Sequence, residues 1–436
     1  MKTVYVIGAG ASIGGSSTGV LSGFPAANGI LYAIRKMIDK ERIQHPQALC
    51  TYLSRFSPYD YYATIVSELR EEWDSLNIEE LYSALEFESR ISDDLVQSSG
   101  LGLDSGPFYN FYFTESYRNR VQNLLEGDYR NHFEERYNAF GISHAFPHLH
   151  RHFISIVKME LLDMISVLFA NISANGEFNN FDELSRRLND GDDIVSYNYD
   201  LLMEEALKRQ RPDDWCFHNG YALKPIGPHP TNKPQQFLFH GEGRSTERSK
   251  YKIYKPHGSC NWHILTSMAK SAEIVPEPVG CTQIRRQQFD GIVVTSGYQL
   301  GGEFQNVPNQ HCERLMIPPT PYKADYCFNG DYLHGPGEMV LMHISFTGWQ
   351  PQLMFHNSFH SLRNANRIVF IGFSMAPVDV PTRLMFLASA QANKNLQSVT
   401  IANPDREARK RIEQIYPNVK EIHRYDFFAD LLKAGV

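Results

Sequence analysis

The sequence predicts an α/β fold with a mostly parallel sheet, because short apolar runs are separated by long stretches of helical pattern. Four runs are apolar or β-branched at nearly every position, which is typical of strands that are buried on both faces of a parallel sheet. A fifth run, KIYKPH, is more mixed. In chain order the five are TVYVIG (3–8), DIVSYN (193–198), KIYKPH (252–257), RIVFIG (367–372) and SVTIAN (398–403).

The residue that ends each predicted strand is small or polar. These residues are Gly8, Asn198, His257, Gly372 and Asn403. Ligands of open α/β sheets bind outside the carboxyl ends of the strands. We therefore expect the five strand ends to surround one shared crevice.

The long stretch between the first two predicted strands has helical character. Apolar residues recur there at i, i+3 and i+4, the spacing of a helix that packs one face against a core. The segments are NGILYAIRKMIDKERI (28–43), DYYATIVSELREEWDSL (60–76), IEELYSALEFESRI (78–91) and HRHFISIVKMELLDMISVLFANI (150–172). Their apolar stripes are expected to form core.

The chain is expected to contain a discontinuous core with a helical and a loop-rich insertion. The core is predicted over 1–30, 185–265 and 340–436, the helical insertion over 31–184, and the loop-rich insertion over 266–339. Gly, Pro and polar residues predict a further long loop over 221–250. The final stretch, EIHRYDFFADLLKAGV, predicts a last strand followed by a short helix.

Charge and composition argue against several classes of protein. Lys and Arg number 42 and Asp and Glu 49, and the resulting net charge of −7 argues against a surface built to bind nucleic acid. No apolar run approaches the roughly 20 residues needed to span a bilayer. The N-terminal MKTVYVIGAG lacks the apolar segment of a secretion signal. We therefore expect a cytoplasmic protein with no membrane partner.

The segment GAGAS (8–12) follows the first predicted strand directly. Glycines here allow the backbone to approach a phosphate closely, and the N-terminus of a following helix supplies N–H donors. The segment departs from the dehydrogenase fingerprint because Ile13 occupies the place of the third glycine. No second strand ending in an acidic residue follows about 20 residues later. Hydride transfer is therefore not the expected chemistry.

Two further strand ends carry side chains suited to chemistry. Asn198 and Asp200 are two residues apart, so in an extended segment they point the same way and suit a ribose hydroxyl and a carboxamide. A strand-end turn is the alternative interpretation. His257 lies between Pro256 and Gly258, which fix a turn that projects the ring. An ordinary pKa of about 6.5 suits a general base, and a structural histidine that caps the turn is the alternative.

Five motifs occur in order at the predicted strand ends. They are GAGAS (8–12), NYD (198–200), KPHGSCNW (255–262), GFSM (372–375) and IANPD (401–405). In this order they resemble the catalytic core of the sirtuin superfamily, and most closely the SIR2-like domains of bacterial anti-phage defence proteins. Members of this group often carry an IPP-type stretch before the GFS motif and an acidic residue after it, which IPPT (317–320) and Asp379 match.

The resemblance implies a Rossmann-like NAD-binding fold of the sirtuin type, with NAD⁺ as the substrate. Asn198 and Asp200 would face the nicotinamide ribose and the carboxamide, and His257 would be the catalytic base. The pyrophosphate would be cradled by Gly8, Ala9, Gly10, Ala11 and Ser12. The adenosine half would be held by Gly372, Phe373, Ser374 and Asn403.

The chain also departs from the deacylase sirtuins. The six cysteines form no CxxC pair, so the zinc module of the deacylases is not expected here. The loop SGFPAANG (22–29) lacks the arginine found in deacylases, and the segment after His257 differs from the one that helps to form an acyl-lysine channel. These differences argue against deacylation and leave NAD⁺ cleavage intact.

The resemblance therefore implies an NAD⁺ hydrolase that releases nicotinamide and ADP-ribose as a regulated effector of anti-phage defence. A homo-oligomer, and an activating partner protein or phage-derived trigger, are expected with it. Two alternatives stay open. One is an NAD-dependent protein deacylase or ADP-ribosyltransferase, and the other is a non-catalytic module that binds NAD or ADP-ribose and signals to a partner.

Overall fold

The chain divides into two compact units. The first comprises Met1–Ala26, Phe169–Ser267 and Gln287–Val436, and the second comprises Ala27–Leu168 and Met268–Arg286. The computed structural model describes residues 1–13, 16–17, 24–56, 68–85, 87–88, 115–127, 146–221, 238–240, 249–268, 287–295, 310–316, 334–335, 338–339 and 346–435. The IPPT stretch (317–320) lies outside these residues.

Strands occur along most of the first unit. They are β1 (Thr3–Ile7), β2 (Ser16–Ser17), β3 (Gly176–Glu177), β4 (Asp193–Ser196), β5 (Leu238–His240), β6 (Lys252–Tyr254), β7 (Gly258–Met268), β8 (Gln287–Thr295), β9 (Gln310–Met316), β10 (His334–Gly335), β11 (Glu338–Met339), β12 (Arg367–Ile371), β13 (Ser398–Ala402) and β14 (Glu421–Tyr425). The short β2 and β3 pair with each other, as do β10 and β11.

Helices connect these strands and also occur in the described parts of the second unit. They are α1 (Gly10–Ile13), α2 (Ile30–Glu41), α3 (Gln47–Leu53), α4 (Glu115–Glu126), α5 (Phe146–Asn175), α6 (Asn179–Arg187), α7 (Leu202–Gln210), α8 (Phe217–Gly220), α9 (Phe346–Arg363), α10 (Val380–Ala392), α11 (Arg406–Ile415) and α12 (Phe428–Lys433). Residues 78–85 and 87–88 are also helical, and Ala27–Gly29, Ser54–Phe56 and Glu71–Trp73 form single 3₁₀ turns. No helix in the described segments is long and apolar enough to cross a membrane.

A six-stranded sheet in the order β14–β13–β12–β1–β4–β6 carries the fold of the first unit. Every neighbouring pair is parallel. All five predicted strands and the predicted last strand belong to it. The strands β1, β4 and β13 are buried along their whole length, as is typical of parallel strands. The predicted mixed α/β fold with a parallel sheet is confirmed, and it is compatible with a Rossmann-like fold.

The register of the sheet aligns the carboxyl ends of its central strands. The last pairs are Ile7 with Ser196, Ile7 with Ile371, Ile371 with Ala402, and Val195 with Tyr254. The loops that follow β1, β4, β6, β12 and β13 therefore leave the sheet at one edge. This edge, called the carboxyl edge below, is where the sequence predicts ligand binding.

An apolar core packs against the sheet beneath the carboxyl edge. It includes Phe370 of β12 and Phe386 of α10, whose ring centroids lie 5.6 Å apart. Burial of one such side chain contributes about 1.5–3 kcal/mol to the free energy of unfolding. Helix α10 starts at this edge because Asp379 caps it, its Oδ1 accepting from the amide of Thr382 at 3.2 Å.

The regions predicted as loops over 221–250 and 266–339 differ in structure from that prediction. Their described residues include β5, β8, β9 and the end of β7, and these strands form a second sheet in the order β5–β8–β7–β9. The pairing of β7 with β9 is antiparallel. Polar and apolar residues are mixed in QHCERLM of β9. In β8 only the last four residues, IVVT, form a continuous β-branched stretch.

The helical pattern over 60–76 is also wrong for the part that the structure describes. Residues 68–70 are not helical, and Glu71–Trp73 forms only one 3₁₀ turn. The amide of Leu69 donates to Nδ1 of His45 at 3.0 Å, which takes it out of any helical ladder. The next helix begins after Asn77, whose Oδ1 accepts from the amide of Glu79.

Candidate functional site

Three of the predicted site residues meet at the carboxyl edge. Nδ2 of Asn198 donates to Oγ of Ser12 at 2.9 Å, and Oγ of Ser12 donates to Oδ2 of Asp200 at 2.8 Å. All three side chains are buried. Ser12 lies in α1 after β1, while Asn198 and Asp200 follow β4, so the adjacency of these two parallel strands brings the residues together. This Ser12–Asn198–Asp200 chain of hydrogen bonds is called the polar triad below.

One atom of the polar triad lacks a hydrogen-bond partner. The residues that the structure describes offer no donor to Oδ1 of Asn198, although the atom is buried. A buried acceptor without a donor costs about 1–3 kcal/mol, so such atoms call for an explanation. Exchanging Oδ1 and Nδ2 of Asn198 would not supply a donor. The Ser12 hydroxyl already donates its proton to Asp200, so it can only accept from Asn198. Oδ1 of Asn198 is therefore available to a hydroxyl or water of a ligand.

Asp200 is a buried carboxylate with three supporting interactions. Burial raises its pKa, while the charge of Lys255 and the hydrogen bonds from Ser12 and from the amide of Leu202 lower it. The Leu202 amide lies 3.1 Å from Oδ1. Hydrogen bonds and a cation favour the ionised form over the neutral one. Burial is the largest of these effects, so the pKa of Asp200 lies above its ordinary value, and the carboxyl group is held beside Ser12 and Asn198.

A buried ion pair holds the loop that carries the polar triad. Nζ of Lys255 donates to the backbone carbonyl of Asp200 and to Oε1 of Glu204, each at 2.8 Å. Lys255 and Glu204 are almost fully buried, and the hydroxyl of Tyr221 also donates to Glu204. Lys255 thus joins the end of β6 to the loop after β4 and to the first turn of α7. The sequence interpretation did not single out Glu204, and its acidic position in the first turn of α7 was the only signal.

His257 sits on the tight turn that its neighbours predict. The amide of Gly258 donates to the carbonyl of Lys255 at 3.0 Å, and Gly258 has a φ of 72°, a left-handed value that favours glycine. The imidazole packs edge-on against Tyr197 with ring centroids 4.9 Å apart, and its centroid lies 6.3 Å from that of Tyr199. These tyrosines flank Asn198 in the chain, so the histidine and the polar triad share the carboxyl edge.

The other side of His257 contacts an acidic residue that the sequence marked only as a family match. Nε2 of His257 lies 2.9 Å from Oδ2 of Asp379. Both side chains are buried. Asp379 comes from the start of α10, 122 residues further along the chain. A hydrogen bond between a carboxylate and an imidazole fixes the orientation of the ring.

The glycines of GAGAS are required by close packing against the GFSM loop. A Cβ on Gly8 would lie 2.6 Å from Cα of Phe373, and one on Gly10 would lie 2.9 Å from Cα of Gly372. The amides of Gly8 and Gly10 donate to carbonyls of Ile371 and Gly372. Within the segment, the amides of Ala11 and Ser12 donate to the carbonyls of Gly8 and Ala9. A pyrophosphate would have to share these donors, while Ala9 and Gly10 are exposed.

The residues predicted to hold the adenosine half divide into exposed and buried ones. Nδ2 of Asn403 donates to the carbonyl of Phe373 at 3.0 Å, and its Oδ1 accepts from the amide of Asp405. The ring of Phe373 is buried against Tyr197. Asn403 and Phe373 therefore brace the loop from inside. Ser374 is exposed, and its carbonyl accepts from the guanidinium of Arg411 at 2.9 Å.

In the part of the chain that the structure describes, no group of three or more His, Cys, Asp or Glu side chains could hold a metal ion. No protein-family model matches the chain, and no curated protein matches it.

Proposed function

We propose that the protein is an NAD⁺ hydrolase that cleaves the nicotinamide–ribose bond and releases nicotinamide and ADP-ribose. The observation that carries this proposal is the polar triad, in which the buried Oδ1 of Asn198 has no hydrogen-bond donor among the described residues. Nicotinamide ribose and the attacking water both offer hydroxyl protons to such an acceptor. The order of the five motifs and the parallel sheet that carries them are consistent with it.

The chemistry of the bond explains why these side chains suit it. The nicotinamide of NAD⁺ is positively charged, so it leaves with the electron pair of the C1′–N bond and needs no strong acid. Positive charge develops on the ribose, much as in glycoside hydrolysis. The buried carboxylate of Asp200 stabilises that charge in a site of low dielectric constant.

The nucleophile is one water molecule, and its proton must be removed. Oδ1 of Asn198 accepts a hydrogen bond that orients the water or a ribose hydroxyl, which makes the reaction effectively unimolecular. His257 accepts the proton as the oxygen bonds to C1′, a role that contributes typically about 10²–10⁴-fold to the rate. The proton balance is complete, because nicotinamide departs neutral and the histidine is left protonated.

The proposed biological role is that of a regulated effector that depletes NAD⁺ during phage infection. The protein would act as a homo-oligomer and would respond to an activating partner or a phage-derived trigger. Both statements follow from the resemblance to SIR2-like defence domains.

Incubation of the full chain with NAD⁺ and no peptide tests the activity. We expect nicotinamide and ADP-ribose in equal amounts by chromatography, and a rate lower by about 10²–10⁴-fold in His257→Gln. His423→Gln, on the exposed β14 strand, is the matched control and should keep the wild-type rate. Release that requires an acylated peptide would instead favour a deacylase. Binding without turnover, in vitro and in phage-infected cells, would favour a non-catalytic NAD module.

A further inference from the structure

We propose that Asp379 is the positioning residue of the site, which holds His257 in the tautomer and orientation that proton transfer requires. This inference rests on the proposed function. It assigns a role to Asp379, the residue that caps the start of α10.

Both oxygens of the Asp379 carboxylate are engaged. Oδ2 faces Nε2 of His257 at 2.9 Å, and Oδ1 accepts from the amide of Thr382 at 3.2 Å. Asp379 is only 3% exposed, so these hydrogen bonds form away from solvent. Pro381 in the first turn of α10 restricts the backbone there. The hydrogen bond to Thr382 thus fixes the carboxylate independently of its contact with the histidine.

The His257 imidazole contacts two tyrosines and the Asp379 carboxylate. Tyr197 and Tyr199 face His257 from the loop after β4, and burial raises the pKa of Tyr197 well above 10. That phenol therefore stays neutral near pH 7. Among the described residues, Asp379 supplies a carboxylate 2.9 Å from Nε2 of the imidazole. It accepts the Nε2 proton, which makes Nδ1 the basic nitrogen, and it stabilises the imidazolium that forms when the water gives up its proton.

Exchange of Asp379 for asparagine distinguishes this role from simple helix capping. Thr382 N–H and His257 Nε2–H each need an acceptor, and a carboxylate supplies two. An asparagine supplies one oxygen and one NH₂ group. If the oxygen keeps the helix cap, the NH₂ group faces Nε2 and forces the proton to Nδ1. The basic nitrogen would then be Nε2, which faces the asparagine.

The experiment compares Asp379→Asn and Asp379→Glu with the control Asp192→Asn. Asp192 is also a buried aspartate, and its two oxygens accept from the backbone amides of Thr3 and Asn189. It lies at the amino ends of the strands, away from the carboxyl edge. In Asp379→Asn we expect kcat for nicotinamide release to fall about 10²–10⁴-fold, with KM changed less than about threefold. Asp379→Glu should recover part of kcat. Asp192→Asn should lose thermal stability but keep kcat.

A second readout follows the histidine without using NAD⁺. Nitrogen-15 shifts of the His257 ring, assigned by their loss in His257→Gln, should show Nε2–H in the wild type and Nδ1–H in Asp379→Asn. Wild-type kcat in Asp379→Asn, equal losses of kcat in both asparagine variants, or an Nδ1–H ring in the wild type would overturn the inference. If the tautomer switches as expected but the wild type cleaves no NAD⁺, the proposed function fails while the orientation of His257 by Asp379 stands.

Discussion

Oγ of Ser12 lies 2.8 Å from Oδ2 of Asp200, although 188 residues separate them in the chain. The contact exists because β1 and β4 are adjacent parallel strands whose carboxyl ends are in register. It joins α1, which follows β1, to the loop after β4. The chain of hydrogen bonds then continues to Asn198, whose buried Oδ1 receives no donor from the residues that the structure describes.

Ser12→Ala should separate a loss of activity from a loss of stability. Without the hydroxyl, Asn198 Nδ2 loses its acceptor and its amide is free to rotate. We expect nicotinamide release to slow by on the order of 10²-fold through misplacement of the amide, and the free energy of unfolding to fall by about 1–3 kcal/mol. The control is Ser361→Ala, which removes the same kind of bond from Asp193 at the amino end of β4. It should lose similar stability and no activity; a similar rate loss in both variants would contradict the assignment.

Gly372→Ala tests whether the GAGAS and GFSM loops need close backbone packing. Gly372 has a φ of +59°, and a Cβ there would lie 2.0 Å from the amide nitrogen of Ala11. Gly191 also has a positive φ, but a Cβ on it would meet nothing within 4 Å. By chemical denaturation, Gly191→Ala should lose about 1–2 kcal/mol, the cost of left-handed backbone alone. Gly372→Ala should lose more than about 4 kcal/mol because a backbone clash is added. Equal losses would show that the loops can separate.

The buried Lys255–Glu204 pair should behave as one unit in a double-mutant cycle. Lys255→Met leaves the Glu204 carboxylate buried without its cation, which costs about 3–5 kcal/mol. Glu204→Gln in the same chain removes the uncompensated charge, so we expect the double variant to be more stable than Lys255→Met alone. Denaturant titration measures all four members. Additive losses would mean that the two side chains do not depend on each other.

Much of the six-stranded sheet could be predicted from the sequence. Most of its strands are short apolar or β-branched runs, and each predicted run ends in a small or polar residue. TVYVIG and SVTIAN are examples, and both end where the structure has a loop at the carboxyl edge. The strands of the second sheet were missed, since polar residues interrupt β9 and the β-branched stretch in β8 is only four residues long. Partnerships such as His257 with Asp379 have no local pattern, because they depend on which helix start the topology brings to the edge.

Glu205 predicts a specific pH dependence of stability. Burial, together with the neighbouring carboxylates of Glu204 and Asp200, raises its pKa from 4.5 to about 7. Between these values the folded chain binds more protons than the unfolded chain, so this group's contribution to stability falls as the pH rises from about 4.5 to 7.

Glu205→Gln should therefore be more stable than the wild type at pH 8, by about 1–3 kcal/mol, and the difference should disappear near pH 4. Denaturation at both pH values measures it. Glu183→Gln is a control that should change stability in the opposite direction. Arg186 and Arg187 lower the pKa of Glu183, so loss of its carboxylate should destabilise the chain at pH 8. A Glu205→Gln variant that is less stable than the wild type at pH 8 would contradict the expected direction.

The most direct measurement is nicotinamide release from NAD⁺ by the wild type, Asn198→Ala and Asn393→Ala. Asn393 is the matched control, because its amide donates to the carbonyls of Leu362 and Ala365 at the far end of α10. We predict equal release by the wild type and Asn393→Ala, and release at least about 100-fold slower in Asn198→Ala. Undiminished release by Asn198→Ala would contradict the claim that the polar triad at the carboxyl edge is where NAD⁺ is cleaved.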